Sequence, residues 1–128
     1  MIPLSVPNLK GNELRYLKKC VKTEYVSSVG KYVSLFEKKI CKFTNSKYAV
    51  ACASGTAALQ LALRVVGVKE NDEVIIPTMS FIATANAAMY LKAKPIFMDC
   101  DDFYNLDIKK LVSFIKNRTY FKNGFTFN

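Results

Sequence analysis

Between residues 48 and 117, short apolar runs alternate with helix-compatible runs, and this alternation most restricts how the chain can fold. Tyr48 to Ala53 ("YAVACA") reads as a short buried strand, which would make Cys52 a buried core thiol. Ala57 to Val66 reads as a helix that is apolar on nearly every face, with Gly67 as its C-terminal stop. A turn at Asn71-Asp72 leads into a second strand, Glu73 to Ile76, which Pro77 ends. "IATANAAMYL", residues 82–91, is a second helix whose small residues suit close packing. Pro95 to Asp99 forms a third strand, and Asp107 is placed to cap a last helix over Ile108 to Asn117. Strand, helix, strand, helix, strand at this spacing predicts parallel βαβ units.

In such a sheet, ligands gather at the carboxyl ends of the strands. Three segments fall there: Ser54-Gly55-Thr56, Pro77 to Phe81, and Asp99 to Asp102. A strand-to-helix turn built from Ser, Gly and Thr exposes backbone N–H groups at the positive end of a helix dipole. That arrangement suits an anion, often a phosphate. Ser and Thr are equally the ordinary N-cap residues, so a plain cap and a phosphate turn both stand on the residues alone. Neither G-x-x-x-x-G-K-[ST] nor G-x-G-x-x-G occurs in the chain.

Ahead of this core, Pro3 to Asn8 reads as an extended arm. Asn12 to Lys22 is helix-compatible, with Leu14, Leu17, Cys20 and Val21 on one stripe. Ser27-Ser28-Val29-Gly30 interrupts the pattern. A helix then resumes over Tyr32 to Phe43, with Val33, Phe36, Ile40 and Phe43 expected on its buried face. The tail, "RTYFKNGFTFN", reads as an aromatic, turn-like segment.

With 128 residues and 51% hydrophobic content, the chain is long enough for one globular core. No run approaches the ~20 apolar residues of a membrane span, and the first residues lack the pattern of a signal peptide. A cytoplasmic protein with no membrane partner is expected. Histidine is absent, which excludes a His base or His metal ligand within this chain. The four cysteines are widely spaced with no C-x-x-C pair, which argues against a zinc site. The net charge of +9 comes from lysines scattered over Lys10 to Lys47 and Lys92 to Lys122. Solvated helix faces account for them, and no nucleic-acid partner is expected.

Taken together, "VGKYVSLFEKKI", "ASGTAALQLAL", "DEVIIPTMSFIATANAAMY" and "KPIFMDCDD" resemble the DegT/DnrJ/EryC1/StrS family of sugar aminotransferases, across essentially the whole chain. The resemblance implies the α/β fold of the fold-type I transferases: the amino-terminal part of their large domain, mainly a parallel sheet with helices on both faces. Residues 1–128 would then be a single partial domain, with the arm and helices in 1–47 and the cofactor-phosphate half in 48–128. The implied cofactor is pyridoxal 5'-phosphate. In the family a Gly-Thr-Ala loop holds the cofactor phosphate, which assigns Gly55, Thr56 and Ala57, with Ser54 as the lead-in. Phe81 matches the aromatic residue that covers one face of the pyridine ring; on its own it would read as a core aromatic.

Asp99, Asp101 and Asp102 match the acidic end of the family's third strand and read as structural. Ser27 to Lys31 matches a segment near the active site of the family's dimers, or is simply a helix-breaking loop. Family members run to roughly two or three times this length. The resemblance places the lysine that bonds the cofactor, and the acid that pairs with its pyridine nitrogen, beyond position 128. No catalytic residue is therefore assigned. The implied substrates are a nucleotide-linked keto-deoxy sugar and glutamate, handled by a homodimer when intact, for surface polysaccharide or nonulosonic acid. The tail most resembles the branch that aminates UDP-linked sugars. A dehydratase of the same family, which replaces the lysine with histidine, and a non-catalytic basic binding remnant are the alternatives. The chain alone is expected to be inactive.

Overall fold

A computed structural model describes residues 2–128, which separate into two compact units divided between Ala51 and Cys52. The first unit holds two helices, α1 (Glu13–Lys22) and α2 (Lys31–Thr44). Glu13 in the first turn of α1 and Lys19 and Lys22 in its last complement the helix dipole. The Thr23 hydroxyl donates to the Lys19 carbonyl at 2.9 Å and closes the helix. Asn45, at φ 54°, ends α2 in the left-handed conformation that Asn tolerates better than most residues. The rings of Tyr16 and Tyr32 meet at 5.0 Å and join the two helices. The Glu37 carboxylate on α2 accepts the N–H of Ala51 at 3.0 Å.

The face of α2 expected to be buried is not covered. Phe36 and Phe43 are 55% and 88% exposed, and neither helix carries a buried residue. Two short helices present too little surface to close over both apolar stripes.

The second unit runs α3 (Gly55–Val65), β1 (Glu73–Pro77), α4 (Ile82–Met89), β2 (Lys94–Met98) and α5 (Ile108–Arg118). A hairpin of β3 (Tyr120–Lys122) and β4 (Phe125–Phe127) follows. β1 and β2 pair in parallel, with Glu73 opposite Lys94 and Pro77 opposite Met98. The crossover between them is α4, which packs on both strands and on α3. Its inner face is Ala85, Ala87 and Ala88, and with Ile76, Ala93 and Met98 these residues make the buried core. A face of methyl groups lets the helix lie close to the sheet. Gly67 follows α3 at φ +91°, the stop that its position foretold. Asp107 caps α5, accepting from the N–H groups of Lys109 (2.9 Å) and Lys110 (3.1 Å).

The strand expected over residues 48–53 does not form. Among the described residues the parallel sheet consists of β1 and β2, and an apolar run becomes a strand only by joining a ladder. Tyr48 and Val50 are exposed, and Cys52 is an exposed residue rather than a buried core thiol. The tail, expected as a turn-like segment, is a hairpin instead. Asn123 and Gly124 both have positive φ, 51° and 82°, as the two central residues of a tight type I′ connection require. The rings of Tyr120 and Phe127 stack across the hairpin at 5.5 Å.

Candidate functional site

Two of the three candidate segments, Ser54-Gly55-Thr56 and Pro77 to Phe81, reach the same edge of the sheet in the second unit. α3 ends in the connection 66–72 that enters β1, and α4 ends in 90–93, which enters β2. Those two connections are tied together: the Asn71 N–H donates to the Lys92 carbonyl at 3.0 Å, and the Lys94 N–H to the Asp72 carbonyl at 2.7 Å. Both helices therefore finish at the amino edge of the strands. Packed against each other, they start at the carboxyl edge, with Ser54 before one and Phe81 before the other.

Ser54 takes the extended backbone of an N-cap, φ −157° and ψ 164°, and its Oγ accepts the Ala57 N–H at 3.2 Å. Its carbonyl accepts the Ala58 N–H at 3.0 Å. The N–H groups of Gly55 and Thr56 are left without an acceptor among the described residues, at the positive end of an eleven-residue helix. A Cβ built on Gly55 would have nothing within 4 Å, so the space before the turn is open. Two unpaired donors, the Thr56 side chain and open space beside a helix N-terminus fit a phosphate group. The Ala57 amide, expected to share in that grip, is engaged by Ser54.

Phe81 occupies the N-cap of α4 and is 88% exposed, so it is not a core aromatic. The loop that delivers it is held from two sides. The Thr78 N–H donates to the Met98 carbonyl at 2.9 Å. The Met79 N–H donates to Cys100 Sγ at 3.3 Å, with Thr78 Oγ1 3.8 Å from the same sulfur. Ser80 Oγ and Thr84 Oγ1 lie 2.8 Å apart at the helix start. No pattern in the sequence marks Cys100; its part depends on the register that sets the end of β1 beside the end of β2.

Two of the acids after β2, Asp99 and Asp101, serve the fold. Asp99 meets Lys110 at 2.6 Å, and this hydrogen bond, then the Asp99 charge, hold the lysine above its ordinary 10.5. Asp101 Oδ1 accepts the N–H groups of Phe103 and Asn105, each at 2.9 Å, and so shapes the loop. Among the described residues no cluster of three His, Cys, Asp or Glu could hold a metal ion. No helix there is long and apolar enough to cross a membrane. In the first unit, Ser27, Val29, Gly30 and Lys31 wall a cleft of about 630 Å³ together with Leu17 and Tyr25.

Residues 7–123 match the DegT/DnrJ/EryC1/StrS aminotransferase family. The chain belongs to that family. Among curated relatives of this DegT-family chain, the GDP-perosamine synthase of Caulobacter vibrioides is 42% identical over 119 residues, which are 92% of this chain and 32% of the relative. The UDP-N-acetyl-3-dehydro-alpha-D-glucosamine 3-aminotransferase of Acidithiobacillus ferrooxidans is 45% identical over 84 residues, 65% of this chain and 23% of the relative. The solved structure of the E. coli GDP-4-keto-6-deoxy-D-mannose-3-dehydratase with bound hydrated PLP superposes with a TM-score of 0.77. It shares 26% identity over 91% of this chain and 32% of that one. The DegT-family chain thus spans about a third of the length of the relatives it matches.

Proposed function

We propose that residues 1–128 supply the cofactor-phosphate half of a pyridoxal-phosphate aminotransferase that acts on a nucleotide-linked keto-deoxy sugar, with glutamate as amino donor. The observation that carries this reading is the pair of amides on Gly55 and Thr56 that have no acceptor among the described residues, set on the same sheet edge as the exposed ring of Phe81. The Gly55 and Thr56 N–H groups and the Thr56 hydroxyl bind the phosphate, and the α3 dipole favours its charge. Phe81 covers one face of the cofactor ring. When bound, the cofactor supplies the electron sink that amino transfer requires. The lysine that bonds it is not assigned among residues 1–128, and this chain by itself transfers no amino group.

Support for the substrate class comes from relatives that act on GDP- and UDP-linked sugars. The domain reading of 1–128 as one part of a larger large domain, a cytoplasmic location and a homodimeric assembly belong to the same proposal. A second reading, a dehydratase of this family, rests on the likeness to the E. coli dehydratase and differs at a residue not found in this chain.

Pyridoxal phosphate titrated onto the chain should compete with inorganic phosphate. Thr56→Leu, which deletes a hydroxyl and crowds the turn, should weaken both. Binding of pyridoxal phosphate that inorganic phosphate does not displace would overturn the assignment of the turn. The loaded chain, supplied with glutamate and a panel of GDP- and UDP-linked keto sugars, should show no amino transfer. Clear turnover would mean that one of the lysines present has taken the covalent role.

A further inference from the structure

We propose that Cys100 is a positioning residue that holds the Thr78–Phe81 loop, and through it the ring of Phe81, in place at the carboxyl edge of the sheet. The proposal rests on the reading above that Phe81 covers the cofactor ring. The anchor side of the contact is built into the fold: Cys100 pairs with Leu106 in an antiparallel bridge, and the Asp107 N–H donates to the Asp99 carbonyl at 3.0 Å. The held side is an irregular loop. Apart from the cysteine contact, its hydrogen bonds among the described residues are Thr78 N–H to the Met98 carbonyl, Ser80 N–H to the Thr78 carbonyl, the local pair Ser80–Thr84, and Thr84 N–H to the Phe81 carbonyl at the start of α4.

Beyond Met98 O, the contact that reaches the loop from β2's end is the Cys100 sulfur, which accepts the Met79 N–H at 3.3 Å and lies 3.8 Å from Thr78 Oγ1. Met79 stands two residues before Phe81, whose backbone then opens α4. Sulfur is a weak acceptor, so this is a modest restraint. A modest restraint suffices for an exposed N-cap ring that nothing in the core immobilises. Removing the acceptor leaves Thr78 tied to Met98 but loosens the chain at Met79, and the ring two residues on then covers the cofactor for a smaller fraction of the time.

The protein has no tryptophan, so Phe81→Trp places a single reporter at this ring. In that background, Cys100→Val removes the acceptor at similar size, and Cys100→Ser restores an acceptor. The expected result for Cys100→Val is lower tryptophan anisotropy at unchanged far-UV circular dichroism. Its affinity for pyridoxal phosphate should fall about threefold to tenfold, the value of one modest hydrogen bond, with affinity for inorganic phosphate unaltered. Cys100→Ser should recover most of both changes. Equal loss of both ligands, or no recovery with serine, would assign Cys100 a merely structural part and overturn the proposal. So would unchanged anisotropy. If the Phe81→Trp parent binds no pyridoxal phosphate, the cofactor reading fails; the anisotropy comparison still decides whether the thiol holds the loop.

Discussion

Replacing Ala88 tests the close contact that positions α4, because this side chain is 0% exposed and lies on the methyl face packed on β1 and β2. Ala88→Leu adds three carbon atoms where there is no surface to receive them. The helix must lift or the new side chain must leave its preferred rotamer, a cost of about 1–3 kcal/mol. Ala88→Gly fails in the opposite direction. It loses about 1 kcal/mol of helix propensity and about 0.8 kcal/mol for the buried methyl, close to 2 kcal/mol together. Ala62→Leu on α3 is the control, since Ala62 is exposed and its change should stay within about 0.5 kcal/mol.

Urea unfolding followed by far-UV circular dichroism reads all three variants. Ala88→Leu and Ala88→Gly should both lower the midpoint, with the control unmoved. An Ala88→Leu variant as stable as the control would refute the reasoning. It would show that α4 does not rest against the sheet on its methyl groups, and that Phe81 is delivered to the site by some other restraint.

Three further outcomes follow from the same geometry. Phe81→Ala should weaken pyridoxal phosphate by about 1 kcal/mol, the value of one aromatic stack, while leaving the circular dichroism of the chain unchanged; unfolding without a separate binding defect would return Phe81 to a structural part. Asp107→Ala removes two N-cap hydrogen bonds from α5 and should cost about 1 kcal/mol, with Asp107→Asn recovering most of it in the same urea experiment. Asp99 holds the Lys110 pKa above 10.5, so the pair's contribution is complete below that pH and is lost as pH rises through the raised value. The thermal midpoint should therefore fall more steeply above about pH 10.5 in the parent than in Asp99→Asn, and parallel curves would show that the ion pair adds nothing.

Much of the second unit could be read directly from its residues. The Glu73–Pro77 and Lys94–Met98 strands and the small-residue helix between them follow from apolar runs, a proline stop and helical spacing. The N-caps at Ser54 and Asp107 follow from side-chain chemistry that acts within three residues. Two departures, at residues 48–53 and on α2, share one cause. "YAVACA" carries the composition of a strand, but strand formation depends on a partner ladder, which composition does not contain. Phe36 and Phe43 carry the pattern of a buried face, but burial needs an opposing surface.

The hairpin, in contrast, is local: Asn123-Gly124 lies between two aromatic runs, which is a strong sequence signal for a two-residue hairpin rather than a bare turn. At the site, the Ser54–Ala57 turn and Phe81 were picked out by family resemblance, and the residue chemistry of the turn alone left a plain cap equally open. Cys100 was out of reach, because its link to Met79 spans twenty-one positions and exists only in the folded register.

The local wiring of β1, α4 and β2 also bears on how the protein comes into being. Closing β2 on β1 requires only the segment between Pro77 and Lys94, and the bridge from Cys100 to Leu106 closes over a shorter one. Contacts of such small sequence separation form quickly and need little chain entropy to be surrendered in advance. The edge that presents Phe81 is thus made from contiguous chain, in the order in which a ribosome releases it. Residues 73–107 can pair while synthesis is under way, so the part of the carboxyl edge that carries Phe81 takes shape next to an α3 that has already left the ribosome.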